Sequence, residues 1–255
     1  MRMQLLDEFK VPTLSKKEVL EQIKKYIKSP RGFFHIVSLN PENIVIALQN
    51  RTFKRVVKKA RLTIIDGVGI VLAARLLQLQ AGERYPGVDL MENLISHAGK
   101  GRLRVLLLGG KRNLAQSLAQ CYQQSYPKAK FTGVTAIKNI AKPSYEEEKE
   151  IFRIVRLTKP HMVFAAFGSP HQELWFAKHS NRFHGAVCMG VGGAFDYLSG
   201  VIQRPHPLFR LLGIEWLMRL IRQPWRIKRQ LRLLIFMYFV IKQKIHDILE
   251  IPQSA

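Results

Sequence analysis

Two cysteines, Cys121 and Cys188, are all that 255 residues contain. They stand far apart and outside any CxxC spacing, which argues against a disulfide framework or a zinc ribbon and fits a reducing cytosol. Acidic residues are scarce as well: 18 Asp and Glu against 41 Lys and Arg leave a net charge of +23. Such an excess predicts attraction to polyanions, whether nucleic acid, an anionic membrane face or phosphorylated substrates. Long apolar runs are missing. The longest, LLIFMYFVI at 233–241, has nine residues where a bilayer crossing needs about 20. The opening MRMQLLDEFKVPTLSKKEV holds no apolar core of signal-peptide length. The eight histidines form neither H-x-x-H nor H-E-x-x-H, so no metal site is expected, and no cofactor. The P-loop G-x-x-x-x-G-K-[ST] is absent. GVGIVL lacks the third glycine of a dinucleotide fingerprint and GVGGAF has the wrong spacing, which argues against a dehydrogenase.

What is present is alternation. Ser15 and Glu18 make a capping box ahead of Leu20, Ile23 and Ile27 at helical spacing. FFHIVSLN reads as a strand, and Asn40 then caps a helix with Pro41 at its favoured first position. LTII (62–65) is a short buried strand leading into a helix over 70–79. RVLLLGG (104–110) is another, followed by a helix over 112–125 and a strand over 130–135. Ser144 and Glu147 open an acidic-faced helix; strand 161–167, helix 171–181 and strand 186–189 follow. Short continuous apolar strands between helices mean a mostly parallel sheet covered on both faces, an α/β Rossmann-like core over 1–200. From Val201 to Lys244 there are ten Lys or Arg and one acid, Glu215, in helical patterning broken by Pro205, Pro207 and Pro224. Residues 201–255 therefore read as a basic helical appendage.

Ligands of an open parallel sheet bind beyond the carboxyl ends of its strands. Those ends share one grammar here: Ser38-Leu39-Asn40; Asp66-Gly67-Val68-Gly69; Gly109-Gly110; Gly168-Ser169-Pro170-His171-Gln172-Glu173; and Gly192-Gly193 running on to Asp196. Glycine lets a backbone approach a ligand closely, and the helix that follows offers free N–H groups to phosphate. The same turns also serve plain packing and capping. Asp66, set straight after LTII, is either a partly desolvated base or a cap for the next helix. Arg84, in GERYPGVDL, is either a clamp on a phosphate or a solvated surface arginine. Asp89 supports a helix start, and Asp196 reads equally as cap or ligand.

The appendage carries three readings. It packs on the core with a solvated charged side, it lies on anionic lipid as an interfacial helix, or it binds nucleic acid. No RNP-type strand, zinc finger or helix-turn-helix supports the last. On an ideal helix Arg222, Arg226 and Arg229 share one broad face, although Pro224 interrupts it.

The blocks IIDGVGIV, RYPGVDL, LLLGG, KPHMVFAAFGSPHQELW, GVGGAFDYLSGVIQRPHP and GIEWLMRLIRQPWRIKR resemble, in that order, those of the WecG/TagA/CpsF glycosyltransferase family, from about Ser38 to Arg229. The resemblance implies an inverting, metal-independent transferase. It would move N-acetylmannosamine or its uronic acid from a UDP donor to N-acetylglucosamine on a polyprenyl diphosphate, peripherally at the cytoplasmic membrane face. It implies that Asp66 is the general base, that Arg84 faces the donor diphosphate, and that Gln172 is a polar contact of the GSPHQE turn. Ser38 keeps a hydroxyl where relatives often carry Thr, Asn40 follows it, and Glu173 caps the helix. One or more of Arg222, Arg226 and Arg229 would complete the diphosphate pocket when the tail docks. His171 departs from the lysine frequent there. Nucleic acid is not an expected partner, and homo-oligomers stay open. The competing class is a basic nucleotide- or nucleic-acid-binding module without transfer activity.

Overall fold

The computed structural model describes residues 6–110, 113–135, 137–206, 209, 213, 215–224 and 227–249, without the side chains of Asp7, Arg219, Arg222, Lys228 and Arg229. Its centre is one six-stranded sheet in the order β2-β1-β6-β5-β3-β4, parallel throughout. The strands are β1 (Phe34–Leu39), β2 (Leu62–Ile65), β3 (Arg104–Gly109), β4 (Lys130–Val134), β5 (Met162–Ala166) and β6 (Val187–Gly190). The alternation read from the sequence is the alternation found.

Side chains of a strand alternate between faces, and the core divides accordingly. Ile36, Ile64, Leu107, Phe164 and Met189 join one core with α1 (Lys16–Lys28), α5 (Gly87–Lys100), α6 (Leu114–Ser125) and α9 (Ala194–Leu198). On the opposite face Val37, Leu39 and Ile65 meet α2 (Pro41–Gln49), α3 (Arg51–Lys59) and α4 (Val68–Leu76). Further along that face Leu106, Leu108, Val163 and Cys188 meet α7 (Tyr145–Thr158) and α8 (His171–Lys178). Both capping boxes form: Ser15 with Glu18 opens α1, and Ser144 with Glu147 opens α7. The break between α2 and α3 was not read from the sequence. There Asn50 ends the first helix and its side chain accepts the Phe53 N–H of the second.

The C-terminal part contributes α10 (Glu215–Arg222) and α11 (Ile227–Leu249). The packed reading of the tail holds in part: α11 docks on the core, but its outer side is apolar rather than charged. Phe236 and Val240 are fully buried against α2 and α4, and Arg232 donates to the Glu42 carboxylate of α2 at 2.7 Å. Burial of that kind is worth about 1.5–3 kcal/mol per side chain. The other side exposes Leu231, Leu234, Tyr238, Ile241, Ile245 and Ile248, spaced alternately three and four residues apart. No helix among the described residues is long and apolar enough to cross a membrane.

Candidate active site

Every strand is parallel, so every carboxyl end reaches the same edge of the sheet. The chain leaves β1 into α2 on one face and leaves β6 into α9 on the other, which opens a crevice between these neighbouring strands. Such a switch point is where open α/β sheets hold ligands. A cavity of about 510 Å³ fills it, within the range of small-molecule sites. Ser38, Asn40, Asp66, Gly67, Gly69, Arg84, Ser169, Gln172, Glu173, Gly192 and Gly193 all line it. Residues separated by as much as 155 positions in the chain, Ser38 and Gly193, thus converge as the strand-end grammar predicts.

Asp66 follows β2 directly. Its N–H donates to the Leu39 carbonyl at 3.0 Å, and its Oδ1 accepts the Gly87 N–H at 3.1 Å. The carboxylate therefore does not cap α4, whose N-cap is Gly67 without a side-chain bond; it meets the first residue of α5 instead. Arg84 forms an isolated parallel bridge with Ile65, and its Nε donates to the Asp66 carbonyl at 3.0 Å. Burial pushes the Asp66 carboxyl above the ordinary aspartate range; the Gly87 N–H and the Arg84 charge pull it back only in part. Glu215 and Asp89 add to the upward push.

Gln172 is 3% exposed and its amide is engaged on both sides. Oε1 accepts from the Gly168 N–H at 3.0 Å and the Gly192 N–H at 3.1 Å, so one side chain ties the turn after β5 to the turn after β6. Nε2 donates to Glu173 Oε1 at 2.8 Å. A Cβ at residue 190 would run into this amide, which is why the strand ends in glycine. Glu173 does not cap the helix: it is 2% exposed, and the N-cap of α8 is Pro170, with no side-chain cap bond. Burial raises its carboxyl above the usual range, and Oε2 has no hydrogen-bond partner among the described residues. Asn40 caps α2, while Asn43 bridges strands by donating to the Ser38 carbonyl at 2.8 Å and accepting from Ser169 Oγ at 2.7 Å. Gly67 and Gly69 are needed for closeness, since a Cβ at either would stand 2.9 or 2.7 Å from the Pro41 ring.

Four predicted residues are not brought to the cavity. Gly109 and Gly110 end β3 further along the edge, where the Phe167 ring covers Gly109 at 2.6 Å from a would-be Cβ. Gly168 is held back by its bond to Gln172, and Asp196 sits in the first turn of α9 outside the lining. Arg226 and the side chains of Arg222 and Arg229 lie outside the described residues. Arg204 lines the cavity and was missed, although it stands in the quoted block GVIQRPHP. Its guanidinium pairs with Asp89 and, at 3.2 Å, with Glu92 of α5, while its buried Nε finds no partner among the described residues. Asp89 thus anchors Arg204 as well as standing in the first turn of α5. Leu72, Trp216, Leu233 and Met237 form an apolar wall, the last two from α11. No group of three His, Cys, Asp or Glu suited to a metal ion occurs among the described residues.

The switch-point cavity of this α/β fold thus brings together a raised carboxyl, an adjacent arginine and hydrogen-bonding turns. The chain matches the glycosyl transferase WecG/TagA/CpsF family over residues 3–248 and belongs to it. It is 31% identical over 229 residues, 89% of this chain and 87% of the relative, to an N-acetylglucosaminyldiphosphoundecaprenol N-acetyl-beta-D-mannosaminyltransferase of Staphylococcus aureus strain MW2. The protein so named in strain NCTC 8325 is similar to the same extent. The protein is a glycosyltransferase.

The upward shift at Asp66 has a cost in stability. A carboxyl whose folded pKa exceeds its unfolded one destabilises the fold once ionised. The penalty is absent well below the ordinary aspartate range, grows through the window between the two pKa values and is full above it. Asp66→Asn keeps an oxygen for the Gly87 N–H and removes the charge. Thermal melts should show the variant at least as stable as wild type at pH 7, with any gain vanishing toward pH 3; a large loss at pH 7 would contradict the assigned environment.

Proposed function

We propose that the protein transfers a sugar, N-acetylmannosamine or its uronic acid, from a UDP donor to N-acetylglucosamine carried on a polyprenyl diphosphate, with inversion and without a metal ion. The observation that carries this reading is the Asp66–Arg84 pair: a raised carboxyl and a guanidinium fixed to its backbone, on the wall of one cavity. Asp66 takes the proton of the acceptor hydroxyl as that oxygen attacks the anomeric carbon, and UDP leaves from the opposite side. Arg84 meets the charge growing on the departing diphosphate, a task that preorganised cations and helix N-termini perform best where water is excluded. Gln172 positions rather than reacts, since its oxygen is spent on Gly168 and Gly192. The relatives named above act on an N-acetylglucosamine diphosphoundecaprenol and transfer N-acetylmannosamine, which supports both the acceptor and the N-acetylated donor.

The acceptor's lipid would stay in the bilayer, so the enzyme must come to that surface. The exposed stripe of α11 runs from Leu231 to Ile248, and Leu233 and Met237 of the same helix wall the cavity. With Arg232, Lys242 and Lys244 beside it, this helix suits the boundary of an anionic leaflet, each basic residue adding about 1 kcal/mol of attraction. We place the enzyme there as a peripheral protein of the cytoplasmic face.

In a transfer assay reading released UDP, wild type should turn over UDP-N-acetylmannosamine with a polyprenyl-diphosphate-N-acetylglucosamine analogue and be insensitive to EDTA. Asp66→Asn should lower turnover by a factor on the order of 10² or more while still binding UDP. Unchanged turnover in the folded variant would remove Asp66 from the chemistry, and rescue of an EDTA-blocked enzyme by magnesium would overturn the metal-free mechanism.

Deleting the tail is a poor membrane test, because it strips Phe236 and Val240 from the core. Leu234→Glu with Ile241→Glu on the exposed stripe leaves those anchors in place. That variant should sediment less with anionic phosphatidylglycerol liposomes and lose more activity on long-chain than on short soluble acceptors. Equal liposome binding would move membrane contact elsewhere on the basic surface.

A further inference from the structure

The mechanism above uses Asp66 and leaves the other lining carboxyls, Glu42, Glu173 and Glu215, idle; of these Glu173 is the buried one. It is 2% exposed, it lines the cavity, and the two oxygens differ. Oε1 is occupied by the Gln172 amide at 2.8 Å, while Oε2 is buried with no partner among the described residues. The neighbouring Ser169 Oγ donates to Asn43 Oδ1 at 2.7 Å, and together with the Glu173 N–H it offsets the effect of burial on the Glu173 carboxyl only in part. Among the described lining residues the only bases are Arg84 and Arg204, and both are engaged on the α5 side, with the Asp66 backbone and with Asp89 and Glu92. The other acid near Glu173 is Glu42 of α2, answered by Arg232 of α11.

A buried polar atom without a partner costs free energy, and native sites that keep one usually do so for a ligand. An ionised carboxylate with no cation at hand would be costlier still. Burial accordingly holds the Glu173 carboxyl above its usual range, toward the form that carries a proton. A neutral carboxylic acid is a strong hydrogen-bond donor, and it is best matched by a neutral acceptor that does not also need to donate. On a sugar nucleotide the diphosphate oxygens are anionic and the hydroxyls both donate and accept. The carbonyl of an N-acetyl group is the strongest neutral acceptor available.

We infer that Glu173 is a specificity residue of this site: from Oε2 it donates a hydrogen bond to the N-acetyl carbonyl of the donor sugar, so that N-acetylated hexosamines are accepted and plain hexoses rejected. The inference rests on the sugar-nucleotide reading of the cavity. Gln172 then has a second task, since its Nε2–H fixes Oε1 as the acceptor and leaves Oε2 to carry the proton. A donor lacking the acetamido group would leave the acid buried and unmatched. Sites built around such a hydrogen bond discriminate strongly against analogues that lack it.

The test uses the full chain with UDP, UDP-N-acetylmannosamine and UDP-mannose, comparing wild type, Glu173→Gln and Glu173→Leu by calorimetric binding and by kcat/KM. Wild type should favour the N-acetylated donor by a factor on the order of 10³ or more. Glu173→Gln, which still accepts at one atom and donates from the other, should hold that ratio within about tenfold of wild type. Glu173→Leu should bring it within about tenfold of unity while UDP alone binds as before. Equal use of the two donors by wild type overturns the inference, as does equal loss of preference in the Gln and Leu variants, which would mean an ionised acceptor. Infrared difference spectra of wild type give a readout that needs no variant. A protonated-carboxyl band should shift on adding UDP-N-acetylmannosamine and not on adding UDP-mannose, and its absence overturns the inference too. Failure of UDP itself to bind sinks the sugar-nucleotide reading; UDP binding with no donor preference sinks this inference alone.

Discussion

The hydrogen bond from the Gly87 N–H to Asp66 Oδ1 joins the end of β2 to the first residue of α5, on the wall of the cavity. Three further constraints hold it in place. The Leu39 carbonyl accepts from the Asp66 N–H, the Arg84 Nε bonds the Asp66 carbonyl, and Tyr85 N–H closes on Ile65. The Asp66 backbone is therefore held on both sides, while its carboxylate accepts one backbone N–H and feels the nearby Arg84 charge. In the proposed function, a base held this way needs little reorganisation when the acceptor arrives, which is the electrostatic advantage of a preorganised site. Its raised pKa is the consequence of its burial.

The second half of the cavity is organised by a different side chain. Gln172 links the two turns that follow β5 and β6, and through Glu173 it extends toward Ser169, Asn43 and the end of β1. In the proposed function the two halves divide the work: charge and proton chemistry on the α5 side, neutral hydrogen bonding on the α8 side. Helix α11 roofs both with an apolar wall whose outer face stays exposed. In the function proposed above, that continuity brings the cavity to a lipid-borne acceptor.

Much of this was legible in the sequence because it rests on local rules. Apolar runs ending in small or polar residues gave the strands and their common edge, and S-x-x-E gave both capping boxes. Asp66 stood out by its place directly after LTII. What the sequence hid depends on partners that only the sheet brings together. The Gln172 amide serves Gly168 and Gly192, and nothing in GSPHQE announces the second. Glu173 at the third position of a helix looks like a cap, yet the packing of α8 buries it. Arg204 meets Asp89 and Glu92 across more than a hundred residues, as no spacing rule could show. Gly109 and Gly110 follow the same grammar as the cavity-lining turns, but the Phe167 ring stands against the first, and Leu114 and Phe195 stand against the second.

Asp66 is proposed to work as a base whose pKa its burial has raised. The pH dependence of kcat/KM tests it most directly, because the base must be ionised and activity must fall as pH drops through its folded pKa. The account predicts an acidic limb displaced upward from the ordinary aspartate value of about 3.9 and absent from the residual activity of Asp66→Asn. A limb that stays in the ordinary range, or that persists unchanged in the variant, would contradict it.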